Sequence, residues 1–500
     1  AFAAQLALQD EPMIQIPLFA RATMIGLAMA AAAPALASQP SLEQTVTSQL
    51  AQAPLGTRFG LVVTDAQGRE LIAINPDNRF IPASNTKLFT TAAAFAALPG
   101  LDQPDSAGGA AVRLVEVRRR VRDVVLVGHG DARLSSSADC VTNCLATLAD
   151  AVAARTRRVR DVIGDDTLFP DQRWSPGMGW NNIVTAYGTG ISALTLDDNE
   201  FRLRVTPAEV GQPPSLDELP YYRVTNQAVT VAEGETDLRF TRMPGSLDLR
   251  LTGRIAASAE PRTLRLGIDD PALYAAQRLR TLLEARGVRV TGQVRVRHRP
   301  AEGGEGEEAT SNAPPPVATE PDLARVVPPP LREDLVRINK ESQNLHAELM
   351  VRRLGILSGS GSIQDGVAVI GTLLEQAGTS RTGWDLSDGS GMSTYNRMSP
   401  RAVARLLRWA TTQSWGTAWR ETFPVAAVDG TLANRFRGST LERRLFAKTG
   451  SLNATNALSG YMTARSGQTL IFSFFANDVP PGGGATAVMD RVLATIADAN

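Results

Sequence analysis

Ile81-Pro82-Ala83-Ser84-Asn85-Thr86-Lys87-Leu88-Phe89 sets a serine three residues ahead of a lysine, at the head of an apolar run that continues Thr90-Thr91-Ala92-Ala93-Ala94-Phe95. A proline followed by apolar residues at helical spacing predicts a helix start with a buried face. Residues i and i+3 of a helix share a face, so the Ser84 hydroxyl and the Lys87 amine would be neighbours. A serine hydroxyl is a poor nucleophile until a base takes its proton. A lysine can be that base when burial or nearby positive charge lowers its pKa, and the positive end of the helix dipole acts in the same direction. Alone, the spacing fits equally an N-cap serine beside a surface lysine.

The chain has only three lysines, Lys87, Lys340 and Lys448, among 51 Lys and Arg. Arginine serves wherever charge alone is needed, so a retained lysine is a candidate for a task that requires losing a proton. An arginine-rich coding bias with chance survivors is the competing reading. The three histidines, His129, His298 and His346, are scattered, and none lies at metal-ligand spacing from another histidine or a cysteine. A zinc site or a histidine-based triad is therefore not expected, and neither metal nor cofactor is implied. Zero formal net charge gives no basic excess for nucleic acid or an anionic membrane.

At 500 residues the chain is too long for one ordinary core. Residues 1–37 read as an export signal: Arg21, the apolar run Met24-Ile25-Gly26-Leu27-Ala28-Met29, then Ala35-Leu36-Ala37 as a small-x-small cleavage site, with Met13 as a plausible start. The expected mature protein begins near Ser38, lacks a membrane span and is periplasmic. Cys140 and Cys144, the only cysteines, would form a local disulfide in an oxidising compartment or remain as two thiols on one helix face.

Ser41 to Ala53 reads as a helix stopped by Pro54. Arg58–Asp65 and Arg69–Ile74 flank Ala66-Gln67-Gly68 in a hairpin pattern. After Gly100 the composition changes, and roughly 200 residues of alternating strand and helix patterns intervene, with residues 201–251 mostly strand-like. Pro300 to Pro316 reads as a flexible linker. Two further clusters follow. Lys340-Glu341-Ser342-Gln343-Asn344 lies between two helical patterns, where the Ser342 hydroxyl could relay a proton and the Asn344 amide could hold a carbonyl. Lys448-Thr449-Gly450-Ser451 follows a strand pattern, Leu445-Phe446-Ala447. Its lysine and threonine suit a carboxylate, and its glycine lets a ligand approach the strand.

Ser-x-x-Lys, Ser-x-Asn and Lys-Thr-Gly, in this order and context, resemble the motif trio of penicillin-binding proteins and class A β-lactamases. Within that superfamily the chain is similar to the class C low-molecular-mass penicillin-binding proteins, the D-alanyl-D-alanine carboxypeptidase/endopeptidase family (peptidase family S13), which also carries a large insertion between the first two motifs. Asn339 to Leu345, Asp388-Gly389-Ser390-Gly391-Met392-Ser393 and Ile191 to Thr195 match as well.

The resemblance implies an α/β fold: an antiparallel sheet flanked by helices, with inserted mixed and β-rich domains. It implies a catalytic domain from 38–100 and 312–500, an inserted domain from 101–198 and 254–311, and a small β-rich domain, 199–253, nested in the insert. Ser84 would be the acylated nucleophile and Lys87 its base. Ser342 and Asn344 would relay protons and bind the substrate amide. Lys448 and Thr449, with Gly450 and Ser451, would hold the terminal carboxylate, and the backbone N–H groups of Ser84 and Ser451 would form the oxyanion hole. The implied partners are peptidoglycan stem peptides and, as covalent inhibitors, β-lactams. Asp388 to Gly391 would wall the site.

Thr394 stands where the family often has an arginine, with Arg397 nearby, and Asp171 is the candidate to meet a substrate amine. His129, in Gly128-His129-Gly130-Asp131-Ala132, reads as structural. A β-lactamase or esterase on the same fold, or a non-catalytic cell-wall binding protein, are the alternatives. No Glu-x-x-Leu-Asn follows Ser342, so a deacylating glutamate of the class A kind is not expected.

Overall fold

The strands Arg58–Asp65 and Glu70–Ile74 form the expected hairpin, with Leu61 opposite Ile74. The larger partner of Arg58–Asp65 lies four hundred residues on. It pairs antiparallel with Thr469–Asn477 along its whole length, from Arg58 opposite Asn477 to Asp65 opposite Leu470. Thr469–Asn477 pairs with Thr455–Thr463, and that strand with Leu445–Leu452, completing a five-stranded antiparallel sheet. The computed structural model describes residues 41–217, 221–301 and 320–500, and Leu42–Asn500 forms one compact unit. The export-signal reading and most of the expected linker fall outside the described residues.

Both faces of this sheet are covered, which is why its inner strands are apolar almost throughout rather than alternating. Ile471 and Phe475 point to one face, where Phe80, Ala457 and Tyr461 meet the helices Thr86–Ala97, Asn344–Ile356 and Pro400–Ala410. Phe472 and Phe474 point to the other, against the helices Leu42–Leu50 and Ala485–Ala499. The first helix stops at Leu50, short of the expected Ala53, and Ala51 to Ala53 turn toward Pro54.

At the end of the sheet the Asn477 side chain clips the segment that leads into Ser84. Its Oδ1 accepts from the Ile81 N–H at 2.7 Å, and its Nδ2 donates to the Ile81 carbonyl at 3.1 Å. The chain then enters a single 3-10 turn, Ala83–Asn85, before the α-helix Thr86–Ala97 begins. Ser84 therefore sits on a tight turn just ahead of the helix rather than within its first regular turn.

A second five-stranded sheet, ordered Val294–Arg299, Val162–Pro170, Val121–Val127, Ala111–Arg118 and Ala324–Arg325, has parallel and antiparallel pairs and takes its edge strand Ala324–Arg325 from beyond the insert's expected end at residue 311. The helices Leu145–Arg155 and Pro271–Ala285 share its apolar core. Two small sheets occupy residues 200–267. One comprises Arg223–Asn226, Val229–Val231, Asp237–Thr241 and Asp248–Ala256. The other joins Ser215–Leu216, Glu200–Thr206 and Arg262–Gly267. Strand pairing thus runs past residue 253, because the partner that completes Glu200–Thr206 comes after the intervening turn. Cys140 and Cys144 are joined in a disulfide that precedes the helix Leu145–Arg155. No helix among the described residues is long and apolar enough to cross a membrane.

The Asn477 clip gives a direct test of this arrangement. Asn477→Ala leaves the half-buried Ile81 amide and carbonyl without these partners, at about 1 kcal/mol for each unmade bond. The apparent thermal midpoint should fall by several degrees.

Candidate active site

From Pro82 to Phe95 every residue but Ser84 is buried, so this one hydroxyl is presented through an otherwise closed surface. The turn that presents it is strained. Ala83, fully buried, holds φ of +47°, in the left-handed region that a side chain disfavours. Two glycines make room for it. A Cβ on Gly391 (φ +88°) would lie 1.9 Å from the Ala83 carbonyl oxygen. A Cβ on Gly450 would lie 2.7 Å from the Pro82 oxygen and 3.1 Å from the Ser84 nitrogen. The Gly450 requirement is therefore close approach between the strand Leu445–Leu452 and the Ser84 turn. The buried Asn85 side chain ties the two together, donating to the Lys448 carbonyl at 2.9 Å.

Lys87 is fully buried, and its Nζ has three neighbours: Ser84 Oγ at 3.0 Å, Asn344 Oδ1 at 2.7 Å and the Ser390 carbonyl at 2.5 Å. Burial pulls its pKa from 10.5 to about 7, against the opposing pull of the carboxylates Asp388 and Glu348. A neutral amine has two N–H bonds and one lone pair. Asn344 Oδ1 and the Ser390 oxygen can only accept, so they take both N–H bonds, and the lone pair is left to face the Ser84 hydroxyl.

Lys448 is equally buried. Its Nζ donates to Ser342 Oγ and to the Thr449 carbonyl, both at 2.9 Å. Burial first, and then the charge of Lys87, hold its pKa well below 10.5. Ser342 itself has φ of +62°. Its neighbour Asn344 donates through Nδ2 to the Tyr187 carbonyl at 2.9 Å, which reaches the insert. Thr449 Oγ1 donates to Thr431 Oγ1 at 2.7 Å, and Ser451 is exposed at the end of the strand. Ser84, Lys87, Ser342, Asn344, Lys448 and Gly450 thus converge from three distant stretches, while Thr449 and Ser451 follow on the same strand, Leu445–Leu452. Lys340 does not join them and pairs with Asp429.

Several residues at this centre went unread in the sequence. Glu348 accepts from the Gly389 and Ser390 N–H groups at 3.1 and 2.9 Å, and pairs with buried Arg352 at 2.7 Å. It thereby fixes the loop whose carbonyl meets Lys87. The signal was present, because Asn344, Glu348 and Arg352 are spaced four apart on one helix face. Asp388 anchors the same loop, accepting from the Gly391 and Ser393 N–H groups and from Asn396 Nδ2. Its pKa is raised by burial and by Glu348. Asp171 is occupied by Arg173, whose Nε lies 2.8 Å away, so it is not a free carboxylate awaiting an amine. His129 stands 3.2 Å from Arg325, and burial and that guanidinium hold its pKa down to about 4.

The model of the D-Ala-D-Ala carboxypeptidase 3 (S13) family matches residues 42–496. The chain is 33% identical over 505 residues to a D-alanyl-D-alanine carboxypeptidase of Actinomadura sp. (strain R39), covering 97% of this chain and 90% of that protein. It is 24% identical over 465 residues to D-alanyl-D-alanine carboxypeptidase DacB of Haemophilus influenzae, covering 89% of this chain and 91% of that one. The crystal structure of penicillin binding protein 4 (dacB) from Haemophilus influenzae shares the fold, with a TM-score of 0.74 at 21% identity, over 90% of this chain and 97% of that chain.

Burial of Lys87 also makes stability depend on pH. Between about 7 and 10.5 the unfolded chain holds a proton on this lysine that the folded chain does not, so its burial destabilises less as pH rises through that window. Below it the full penalty applies. Lys87→Met removes the penalty, so its thermal midpoint relative to the unsubstituted protein should be highest near pH 6 and fall steadily toward pH 10. A difference independent of pH would place the lysine in water.

Proposed function

The chain belongs to the D-Ala-D-Ala carboxypeptidase 3 (S13) family, and on that premise we propose that it is a serine hydrolase that cleaves the terminal D-alanyl-D-alanine of peptidoglycan stem peptides through an acyl-enzyme on Ser84. The observation that carries this reading is the 3.0 Å approach of Lys87 Nζ to Ser84 Oγ, with the Asn344 and Ser390 oxygens placed to take both N–H bonds of the neutral amine. In that state Lys87 takes the Ser84 proton as the oxygen attacks the penultimate carbonyl. The backbone N–H groups of Ser84 and Ser451 receive the developing oxyanion, a contribution of ~3–4 kcal/mol per donor in other acyl-transfer enzymes. D-Alanine leaves with a proton relayed through Ser342, and water then attacks the ester.

Lys448 and Thr449 bind the terminal carboxylate. In the empty site Lys448 is held below its usual pKa by burial and by Lys87. An arriving carboxylate supplies a counter-charge that raises the Lys448 pKa back toward its ordinary value. The same reading assigns endopeptidase cleavage of cross-linked stems to this centre, covalent capture of penicillin to Ser84, and a periplasmic setting to the protein. It divides the chain into a catalytic part (38–100 and 312–500), an inserted domain (101–198 and 254–311) and a β-rich unit (199–253). The sheet shared by Arg58–Ile74 and Leu445–Asn477 supports the first of these.

Fluorescent penicillin should label the protein, and Ser84→Ala should abolish the label. Lys87→Arg keeps the charge but supplies no base at neutral pH, so it should slow labelling by at least 100-fold. In the unsubstituted protein the acylation rate should rise with pH around a midpoint near 7, as Lys87 becomes neutral. Normal labelling of Lys87→Arg, or a flat profile from pH 5.5 to 8.5, would remove lysine from the base role. Release of free D-alanine from a pentapeptide, scored against opened cross-links, measures the two peptidase activities.

A further inference from the structure

A groove leaves this centre on the Asn344 side and crosses the insert. Its first part, about 550 Å3, is lined by Ser342, Gln343 and Asn344 of the site and by Tyr187, Arg202 and Arg265 of the insert. Its second part, about 990 Å3, extends to Ser136, Arg278 and the disulfide loop at Cys140. The two parts share Asp198, Glu200, Arg202 and Arg337, so they are one continuous depression. Each alone is the size of a small-molecule site, roughly 300–1,000 Å3, so the whole takes an extended ligand.

Most charges along it are paired, Arg286 with Asp150 among them, and the lining carboxylate without an ion pair, Asp197, is held by Ser135 and Ser136. Arg337 is held by Asp198 (3.2 Å) and Glu341 (3.4 Å), and Arg133 by Glu333 (2.6 Å) and Asp334 (3.2 Å). Glu200 is taken by Arg265, whose Nε stands 2.9 Å away. Arg202 is then left at 3.9 Å from a carboxylate already engaged, with its side chain 70% exposed. Arg278 donates to Ser136 Oγ at 3.3 Å, and among the described residues it meets no carboxylate at ion-pair distance. Two guanidinium groups therefore face the groove with donors to spare, and guanidinium suits carboxylates best.

The walls are fixed. Asp197, Asp198 and Asn199 all have left-handed backbone, with φ of 51°, 56° and 51°. Asp197 is held by Ser135 and Ser136, and Asp198 by Arg337 and by His346, whose Nε2 is 2.9 Å away. The disulfide pins the far rim. A groove so braced binds without having to order itself first.

We propose that this groove seats an acidic peptide: the part of a cross-linked substrate that lies beyond the residues reacting at Ser84, with Arg202 and Arg278 receiving its carboxylates. The proposal rests on the peptidase reading above. It assigns substrate selection between single and cross-linked stems to the insert.

The test measures binding without reaction. In a Ser84→Ala background, a soluble cross-linked dimer of stem peptides is titrated against the protein, against Arg202→Gln/Arg278→Gln, and against Arg204→Gln, an exposed residue on the same strand outside the groove. The double variant should bind the dimer about tenfold more weakly, the loss should shrink in 0.5 M salt, and Arg204→Gln should match the parent. In the Ser84-intact protein the same pair should slow cleavage of the dimer while leaving penicillin acylation within twofold, because Arg278 lines only the part of the groove away from Ser342 and Asn344. An unchanged dimer affinity, an equal loss in Arg204→Gln, or equal affinity for glycan strands stripped of peptide would each overturn the proposal. Failure of penicillin to label the unsubstituted protein would instead overturn the acyl-enzyme reading, because the titration in Ser84→Ala does not depend on it.

Discussion

The centre depends on removing two amines from water side by side. Water would stabilise the Lys87 ammonium, and the interior does not, so its pKa falls to about 7 despite two carboxylates nearby. Those carboxylates remain at a distance set by their own partners: Glu348 is spent on two N–H groups and Arg352, and Asp388 on its own loop. Had either formed a direct ion pair with Lys87, the amine would remain charged and could not accept a proton. Burial outweighs the field of the carboxylates, and this balance lets a lysine lose its proton near neutral pH.

Holding that arrangement requires backbone in uncommon conformations on both sides of the Ser84 hydroxyl. Ala83 and Ser342 both lie in the left-handed region, where a non-glycine residue costs about 1–3 kcal/mol. The surrounding packing over-determines them. Asn477 clips the approach to the turn, Asn85 ties it to the Lys448 strand, and Gly391 and Gly450 allow neighbouring backbone to press against it. The sheet contributes by joining a hairpin near the start of the chain to three strands near its end, so Ser84 and Lys448 are placed by the same scaffold. The insert also contributes to the centre, since the Tyr187 carbonyl fixes the amide orientation of Asn344.

Much of this was legible in the chain. Ser84 and Lys87 are local neighbours on a turn and a helix, so their spacing made contact possible, though alone it fitted a surface lysine as well. The hairpin Arg58–Ile74 showed in its apolar runs and its turn at Gly68. The rarity of lysine singled out Lys87 and Lys448, and the structure brings both to the centre while leaving Lys340 in an ordinary pair with Asp429. The Glu348–Arg352 pair was also readable from its helical spacing and was missed because neither residue belongs to a motif. The disulfide was an open choice, since the spacing of Cys140 and Cys144 fits two free thiols as well as one bond.

The amino-acid sequence by itself determined what is local: which hydroxyl stands beside which amine, which segments are strands and helices, and where glycine permits close approach. Tertiary structure alone decided the lowered pKa of that amine, the company of Lys448 and Ser342, the occupation of Asp171 by Arg173, and the two arginines left over in the groove. The physical reason is that a pKa and an ion pair depend on everything within a few ångströms, including water excluded by residues hundreds of positions away.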